Sequence, residues 1–458
     1  MLMAVAGCSG SSALDASDAG KSAAYQPGSA SFDIEATPMA SDSVPGFDLF
    51  LSVPPPSLTF TRSPAGFRAL YEFSGRVTDR ESGGLVREFS WAETTLVAHY
   101  ELTQRFDPLL LIKHIPVPAG KYALEVTLED LSSGQKTTRA QSVTVYDPSG
   151  AEPAIGRVFL QSKHTDGRFL PVVAFHVPLN ADSLRCAVDV YNVPPSEQLS
   201  VDIRILRFKA DTSMALPPFS YSVMGTPMGY GLVDLDRADT VFLRALSATV
   251  TRKRQTLITQ VPQLQEGLFR FDIQVTTAKP AHSETSLVAS RFYSIRGAGF
   301  PRPVTLRELI DAAGYIARDK EMARMRSAAD PAEQRARFEA FWLNLAGDKP
   351  AAAALIRRYY TRVEEANRLF TTVREGWRTD RGMVYIILGP PGEIMSHLDT
   401  QTWYFNYPGN AMMNAYTFKR ILRQGEGLSV EEFVLYRQMY YEIFWDRMVA
   451  RWRSGEGL

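Results

Sequence analysis

Cysteine is almost missing: the 458 residues carry two, Cys8 and Cys186. A disulfide-stapled scaffold is therefore excluded. Histidine is scarce as well. The six, His99, His114, His164, His176, His282 and His397, form no i,i+4 helical pair and no HExxH stretch, so no metal site is expected. Net charge is zero, with 50 basic against 50 acidic residues interspersed along the chain. A nucleic-acid partner would want a basic face, and none is expected. No apolar run approaches the roughly 18 residues of a transmembrane helix. A Gly-x-Ser-x-Gly elbow, a phosphate-binding loop and a Gly-rich dinucleotide turn are also missing, and the sequence predicts no cofactor.

What is present is apolar substance: 45% of the residues are hydrophobic. At this length that suffices for about three domains, each with its own core. Near the start, Val5-Ala6-Gly7-Cys8 resembles a bacterial lipobox, in which a small residue precedes a cysteine that is lipidated and becomes the mature N-terminus. Seven residues before Cys8, without a positive n-region, are too few for a signal, which predicts a translation start upstream. Residues 9–31 are mostly Ser, Ala, Gly and Asp and cannot bury enough apolar surface to order themselves. Residues 1–31 thus read as a truncated lipoprotein signal and a flexible tether, the latter spanning roughly 25 Å. Ser9 after the cysteine resembles the outer-membrane sorting class. The resemblance implies a chain anchored in a membrane through Cys8, in the cell envelope. Cys186 shares an alternating face with Val188 and Val190 and reads as a buried small hydrophobe.

Over residues 32–150 the hydrophobic period is two. Phe67, Ala69, Tyr71 and Phe73 alternate with Arg68, Leu70 and Glu72, and Tyr122, Leu124, Val126 and Leu128 alternate more cleanly. Pro54-Pro55-Pro56 fits only an edge or a connector. Short strands, regular turns and no helical stretch predict a β-sandwich. The pattern recurs over 151–297, in Val201 to Ile205 and in Phe269 to Val275. Gly120 precedes Tyr122, and Gly267 precedes Phe269, each just ahead of a last hairpin. Two tandem, related all-β sandwiches are expected, joined near Asp147-Pro148-Ser149-Gly150.

From residue 298 to 458 the period becomes 3.6, and a helix-rich α+β domain is expected. Thr305 and Glu308 form a capping box ahead of Leu306, Leu309 and Ile310. Asp330-Pro331 starts a helix carrying Phe338, Phe341, Trp342 and Leu345. Leu355, Tyr359, Val363, Ala366 and Phe370 line a third. Met383 to Leu388, a short apolar run between turn signals, reads as a buried strand. Thr402 to Tyr407 reads as another strand. Ser429 with Glu432 predicts the cap of a last helix carrying Phe433, Tyr440, Phe444 and Met448. Tyr436, Tyr440, Tyr441, Phe444, Trp445 and Trp452 are more aromatics than one core needs. Either that helix is sandwiched between elements or one side meets another protein.

The turn Gly376-Trp377-Arg378-Thr379-Asp380-Arg381-Gly382 and the later Leu388-Gly389-Pro390-Pro391 resemble the signature of the GWxTD domain family, bacterial envelope proteins named for that pentapeptide. The likeness extends upstream to Phe341-Trp342 and Tyr360 to Phe370. It covers about the last third of the chain and departs at Gly392, where the family has an acidic residue. It implies a cell-envelope location and an architecture, and no reaction. The candidate binding residues are Gly376, Trp377, Thr379, Asp380, Arg381 and Gly382. Asp380 reads either as a binding group or general acid, or as an acceptor of backbone N–H groups paired with Arg378 or Arg381. Trp377 reads as a core plug or a ligand platform. Glu393, His397 and Asp399 read as a polar rim or a solvated loop. The first expectation is a non-enzymatic scaffold or adaptor with an envelope protein as partner. The alternative is a glycan-binding or glycan-hydrolysing protein using Asp380 and Glu393, a pair that would have to stand roughly 5–10 Å apart across an open cleft.

Overall fold

A computed structural model describes residues 32–40, 45–103, 108–147, 150, 152–163, 167–173, 176–178, 183–220, 233–262, 264–277, 285–297, 299–397, 399–407, 414–425 and 428–455. Cys8 and the expected tether lie outside the described residues, as do Pro148 and Ser149 of the expected linker.

The N-terminal part runs β1 (Asp33–Ala40), β2 (Pro45–Val53), β3 (Thr61–Ser63), β4 (Gly66–Asp79), β5 (Leu85–Val97), a short α1 (Tyr100–Thr103), β6 (Leu109–Pro116), β7 (Gly120–Asp130) and β8 (Lys136–Val145). One sheet is ordered β1-β2-β6. The other runs β5-β4-β7-β8, with β3 beside the start of β4. Between them lies one core to which β2 gives Phe47, Leu49 and Leu51, β4 gives Tyr71 and Phe73, and β7 gives Leu124 and Val126.

Next come β9 (Ala154–Ile155), β10 (Phe159–Lys163), β11 (Phe169–Pro171), β12 (His176–Pro178), β13 (Leu184–Tyr191), β14 (Gln198–Ala210), β15 (Val233–Thr249), β16 (Arg254–Val261), β17 (Gly267–Thr277) and β18 (Thr285–Arg296). Their sheets are β10-β13-β16, with β9 and β11 attached, and β15-β14-β17-β18, extended by a parallel β12. Counting only the seven long strands of each sandwich, both have the order 1-2-5 in one sheet and 4-3-6-7 in the other. The repeat expected from short sequence matches is thus a repeat of the whole Greek-key topology. The two matching glycines have one role. A Cβ on Gly120 would stand 2.8 Å from the Tyr122 hydroxyl oxygen, and one on Gly267 would stand 3.3 Å from the Phe269 ring. In both strands the ring two residues on folds back over the glycine.

The C-terminal part holds α2 (Leu306–Ala312), α3 (Asp319–Arg326), α4 (Pro331–Ala346), α5 (Lys349–Phe370), α6 (Asp380–Leu388), a sheet β19 (Glu393–Ser396), β20 (Thr400–Tyr404), β21 (Ala415–Gly425), β22 (Leu428–Leu435), and α7 (Glu442–Arg453). The sheet is antiparallel in that order. Thr305 caps α2 in a full capping box, and Asp330 caps α4 through the amides of Ala332 and Glu333. The predicted face of α5 is buried from Leu355 to Phe370.

Three expectations are corrected. Met383 to Leu388 is helical, the body of α6, and not a strand. Its six side chains are all buried because α5, β22 and α7 surround it. A helix enclosed on every side shows no amphipathic period, and a short apolar run then reads equally as strand. Ser429 and Glu432 do not cap a helix: they belong to β22, paired with β21 as Gln424↔Ser429 and Ile421↔Glu432. The last helix begins only at Glu442. The strand expected over Thr402 to Tyr407 stops at Tyr404.

Candidate functional site

The signature turn begins where α5 ends. Gly376 lies against the α5 backbone so closely that a Cβ there would fall 1.9 Å from the Ala366 carbonyl oxygen. Its amide donates to Thr371 Oγ1 (2.7 Å), and the Trp377 amide donates to Asn367 Oδ1 (3.1 Å). Asn367 in turn donates through Nδ2 to the Pro301 carbonyl (2.8 Å). The Trp377 ring is buried, edge-on to Tyr315 at 6.2 Å, and the Arg378 guanidinium lies 4.1 Å from its centre. Tyr315 completes the contact by donating to the Trp377 carbonyl (2.8 Å).

Thr379 is the N-cap of α6. Its Oγ1 accepts from the Gly382 amide (3.0 Å) and donates to the Gly376 carbonyl (2.7 Å), so one hydroxyl ties the helix start to the turn. Gly382 must be glycine for a steric reason, since a Cβ would lie 1.9 Å from that same Gly376 oxygen.

Asp380 is 1% exposed and sealed in. Arg437 Nη2 donates to its Oδ1 (2.6 Å) and Nη1 to its Oδ2 (3.1 Å), while the Leu435 amide donates to Oδ2 (2.7 Å). This is a planar two-point pair with a third, backbone donor. The expected partners of Asp380 are therefore corrected. Arg378 pairs with Glu375, and the Arg381 guanidinium lies over the Phe370 and Phe433 rings at 5.0 and 4.1 Å. Glu393 is exposed, as are His397 and Asp399. Asp380 is thus closed off from solvent while Glu393 stands open to it.

Arg437, which sequence reasoning missed, also donates to the Leu216 carbonyl (3.0 Å). A second buried arginine, Arg374, lies 3.2 Å from Glu432 and 3.5 Å from Asp211. The available signal was Arg437 as the one charged residue in the mostly apolar stretch from Val434 to Tyr441. Spacing could not connect it to an aspartate 57 residues earlier.

The far end of α6 is closed in the same manner. Arg362 Nη1 donates to the Ile386 and Ile387 carbonyls (3.1 and 3.4 Å), Trp452 Nε1 to Ile387 (3.1 Å) and the Tyr407 hydroxyl to Leu388 (2.7 Å). Side chains thus satisfy carbonyls that a helix end leaves orphaned. Gly389 follows with φ +85°, a conformation that favours glycine. Along α6, Tyr385 donates to Glu365 (2.9 Å), whose carboxyl is held above its ordinary pKa by burial, with the tyrosine hydrogen bond opposing.

The aromatics of the last helix divide. Tyr441, Phe444, Trp445 and Trp452 are buried, with Tyr441 stacked on Tyr416 at 4.3 Å. Met439, Tyr440 and Ile443 face outward, 63%, 40% and 66% exposed. Among the described residues, no helix is long and apolar enough to cross a membrane.

Residues 281–454 match the profile of the GWxTD domain. Among curated proteins none matches the chain. Several solved structures show distant likeness. Red sea bream transglutaminase is 7% identical over 58% of this chain and 31% of its own, with a TM-score of 0.17. A tetra-tandem repeat from the extending region of a large adhesion protein is 14% identical over 58% and 50%, with a TM-score of 0.16. The chicken interferon gamma receptor alpha chain is 10% identical over 56% and 97%, with a TM-score of 0.13. This chain thus spans a third to a half of the first two, and none of the three carries a fold or a function to it.

Proposed function

We propose, starting from the fact that this is a GWxTD domain-containing protein, that the chain is a non-enzymatic scaffold or adaptor of the cell envelope. In this reading Cys8 carries the lipid anchor in the outer membrane, residues 9–31 are the tether, and the sandwiches hold the GWxTD domain away from the membrane surface. The reading is supported by how the signature spends its polar groups. The Asp380 carboxylate is committed to Arg437 and Leu435 and the Thr379 hydroxyl to the start of α6, both within the fold. The observation that carries the adaptor reading is the outward trio Met439, Tyr440 and Ile443, in the turn before α7 and at its second residue. Exposed apolar side chains within five residues of one another suit contact with an envelope protein.

Photo-crosslinking in intact cells tests it, with the probe at Tyr440, Ile443 or Arg381. Tyr441 is buried and cannot serve. A discrete adduct from Ile443, lost when Met439→Lys is added, supports the adaptor reading. A membrane-bound, folded protein that gives no adduct from any of the three positions overturns it. For the anchor, Cys8→Ala is expected to move the protein from the membrane to the soluble fraction, and a wild-type protein already soluble rejects the lipid.

A further inference from the structure

The second sandwich is not filled to its edge. Between the sheets, where β15 and β16 are the outermost strands, lies a cavity of about 240 Å³. An engineered apolar cavity of about 150 Å³ in another protein is enough to hold benzene. One sheet lines it with Val188 and Leu257, the other with Ile203, Leu246, Ala248 and Phe271. Along β16 the lining runs from Gln255 to Thr259. Five residues of strand at about 3.3 Å each make it roughly 15 Å long. The space is therefore elongated along β16, the shape of an extended chain.

Two features distinguish the slot from a packing fault. Thr259, opposite Cys186 in the strand register, is 5% exposed and its Oγ1 has no hydrogen-bond partner. Valine has the same shape without the cost of burying a lone hydroxyl. The other end is bordered by Gln255 and Thr256, which are polar and nearer to water. The slot is thus walled mainly by apolar side chains, with polar groups at one end and the unused Thr259 hydroxyl inside.

We propose that this slot binds a single aliphatic chain ending in an oxygen group, the chemistry of a medium-chain fatty alcohol or acid, with that oxygen hydrogen-bonded to Thr259. The inference is independent of the adaptor reading, which concerns α7 and Cys8. Hexanol, octanol and decanol titrated calorimetrically into the full chain should bind with affinity rising about fourfold per methylene. Decane should bind more weakly than decanol, because it leaves Thr259 unpartnered. Ala248→Phe fills the slot and should abolish decanol binding while the Tm stays level or rises. Thr259→Val preserves shape and should remove the preference for decanol over decane, and it keeps the test decisive if Ala248→Phe fails to fold. Wild-type protein without chain-length-dependent binding, or a decanol preference unchanged in Thr259→Val, overturns the proposal.

Discussion

Removing the Asp380 carboxylate breaks its two-point pair with the Arg437 guanidinium, which is 0% exposed. Breaking a buried pair from one side typically costs about 3–5 kcal/mol, chiefly because the remaining charge has no water. Asp380→Ala should therefore lower stability by about that amount in denaturant titrations. Adding Arg437→Met should recover much of the loss, since the buried charge that faced Asp380 goes too. A double variant as unstable as the sum of the singles would show that the two residues act separately. Glu365 offers a second test at this scale. Burial raises its carboxyl pKa in the folded state. The folded chain then binds that proton more readily than the unfolded one, so the contribution is full below the ordinary carboxylate range. It is lost as pH rises through the raised folded value. Glu365→Gln keeps an acceptor for Tyr385 and has no charge to bury. Melting across pH 4 to 8 should show the variant gaining on wild type as pH rises. A difference that does not vary with pH would reject the argument.

At the scale of elements, α6 is the test of what holds a fully enclosed helix. Its end depends on Arg362, which serves the Ile386 and Ile387 carbonyls and lies over the Trp452 ring at 5.1 Å. In Arg362→Met the Ile386 carbonyl loses this donor, whereas Ile387 retains Trp452. One unsatisfied buried acceptor costs about 1–3 kcal/mol, and the melting temperature should fall accordingly. An unchanged melting temperature would mean that water replaces the guanidinium. What could be read from sequence divides along a physical line. The caps of α2 and α4 were legible because Thr305 with Glu308, and Asp330 with Pro331, act within one helical turn. The sandwich strands were legible because each buries one face, leaving the alternation of Tyr122 to Leu128 in view. The helical state of Met383 to Leu388 was not legible, because it depends on α5, β22 and α7 enclosing the segment. Glu432 misled for a related reason: its carboxylate serves Arg374 across the fold and not a cap beside it. The charged partner of the signature's aspartate was out of reach of local spacing, because Arg437 follows β22, 57 residues further along the chain.

Across the whole molecule, the GWxTD domain proves not to be closed on itself. Its matched range begins at residue 281 and so takes in β18, an internal strand of the second sandwich. The segment after β14 supplies more. Met214, Ala215 and Phe219 join the core of the helical part, the Leu216 carbonyl accepts from Arg437, and the Pro218 carbonyl accepts from the Gln438 amide. Asp211 lies beside Arg374, and the Thr212 carbonyl accepts from Arg378. Phe208, Leu268 and Phe292 of the sandwich close a separate cluster with Val373, just ahead of the signature. A cut at residue 298, where the period of the sequence changes, would open apolar surface and leave Arg374 without Asp211. The first sandwich touches its neighbour differently, through Phe50 against Phe159 at 5.1 Å, Tyr146 stacked on Tyr191 at 4.7 Å and the Glu35–Arg291 ion pair. It contributes no residue to the helical core among those described. A fragment of residues 298–458 should therefore fail to give a cooperative melt by circular dichroism, whereas residues 151–458 should melt in one transition. If the short fragment melted as sharply, and at the same temperature, as the long one, the arm after β14 would be a passive contact. The coupling through Arg374 and Arg437 would then carry no stability.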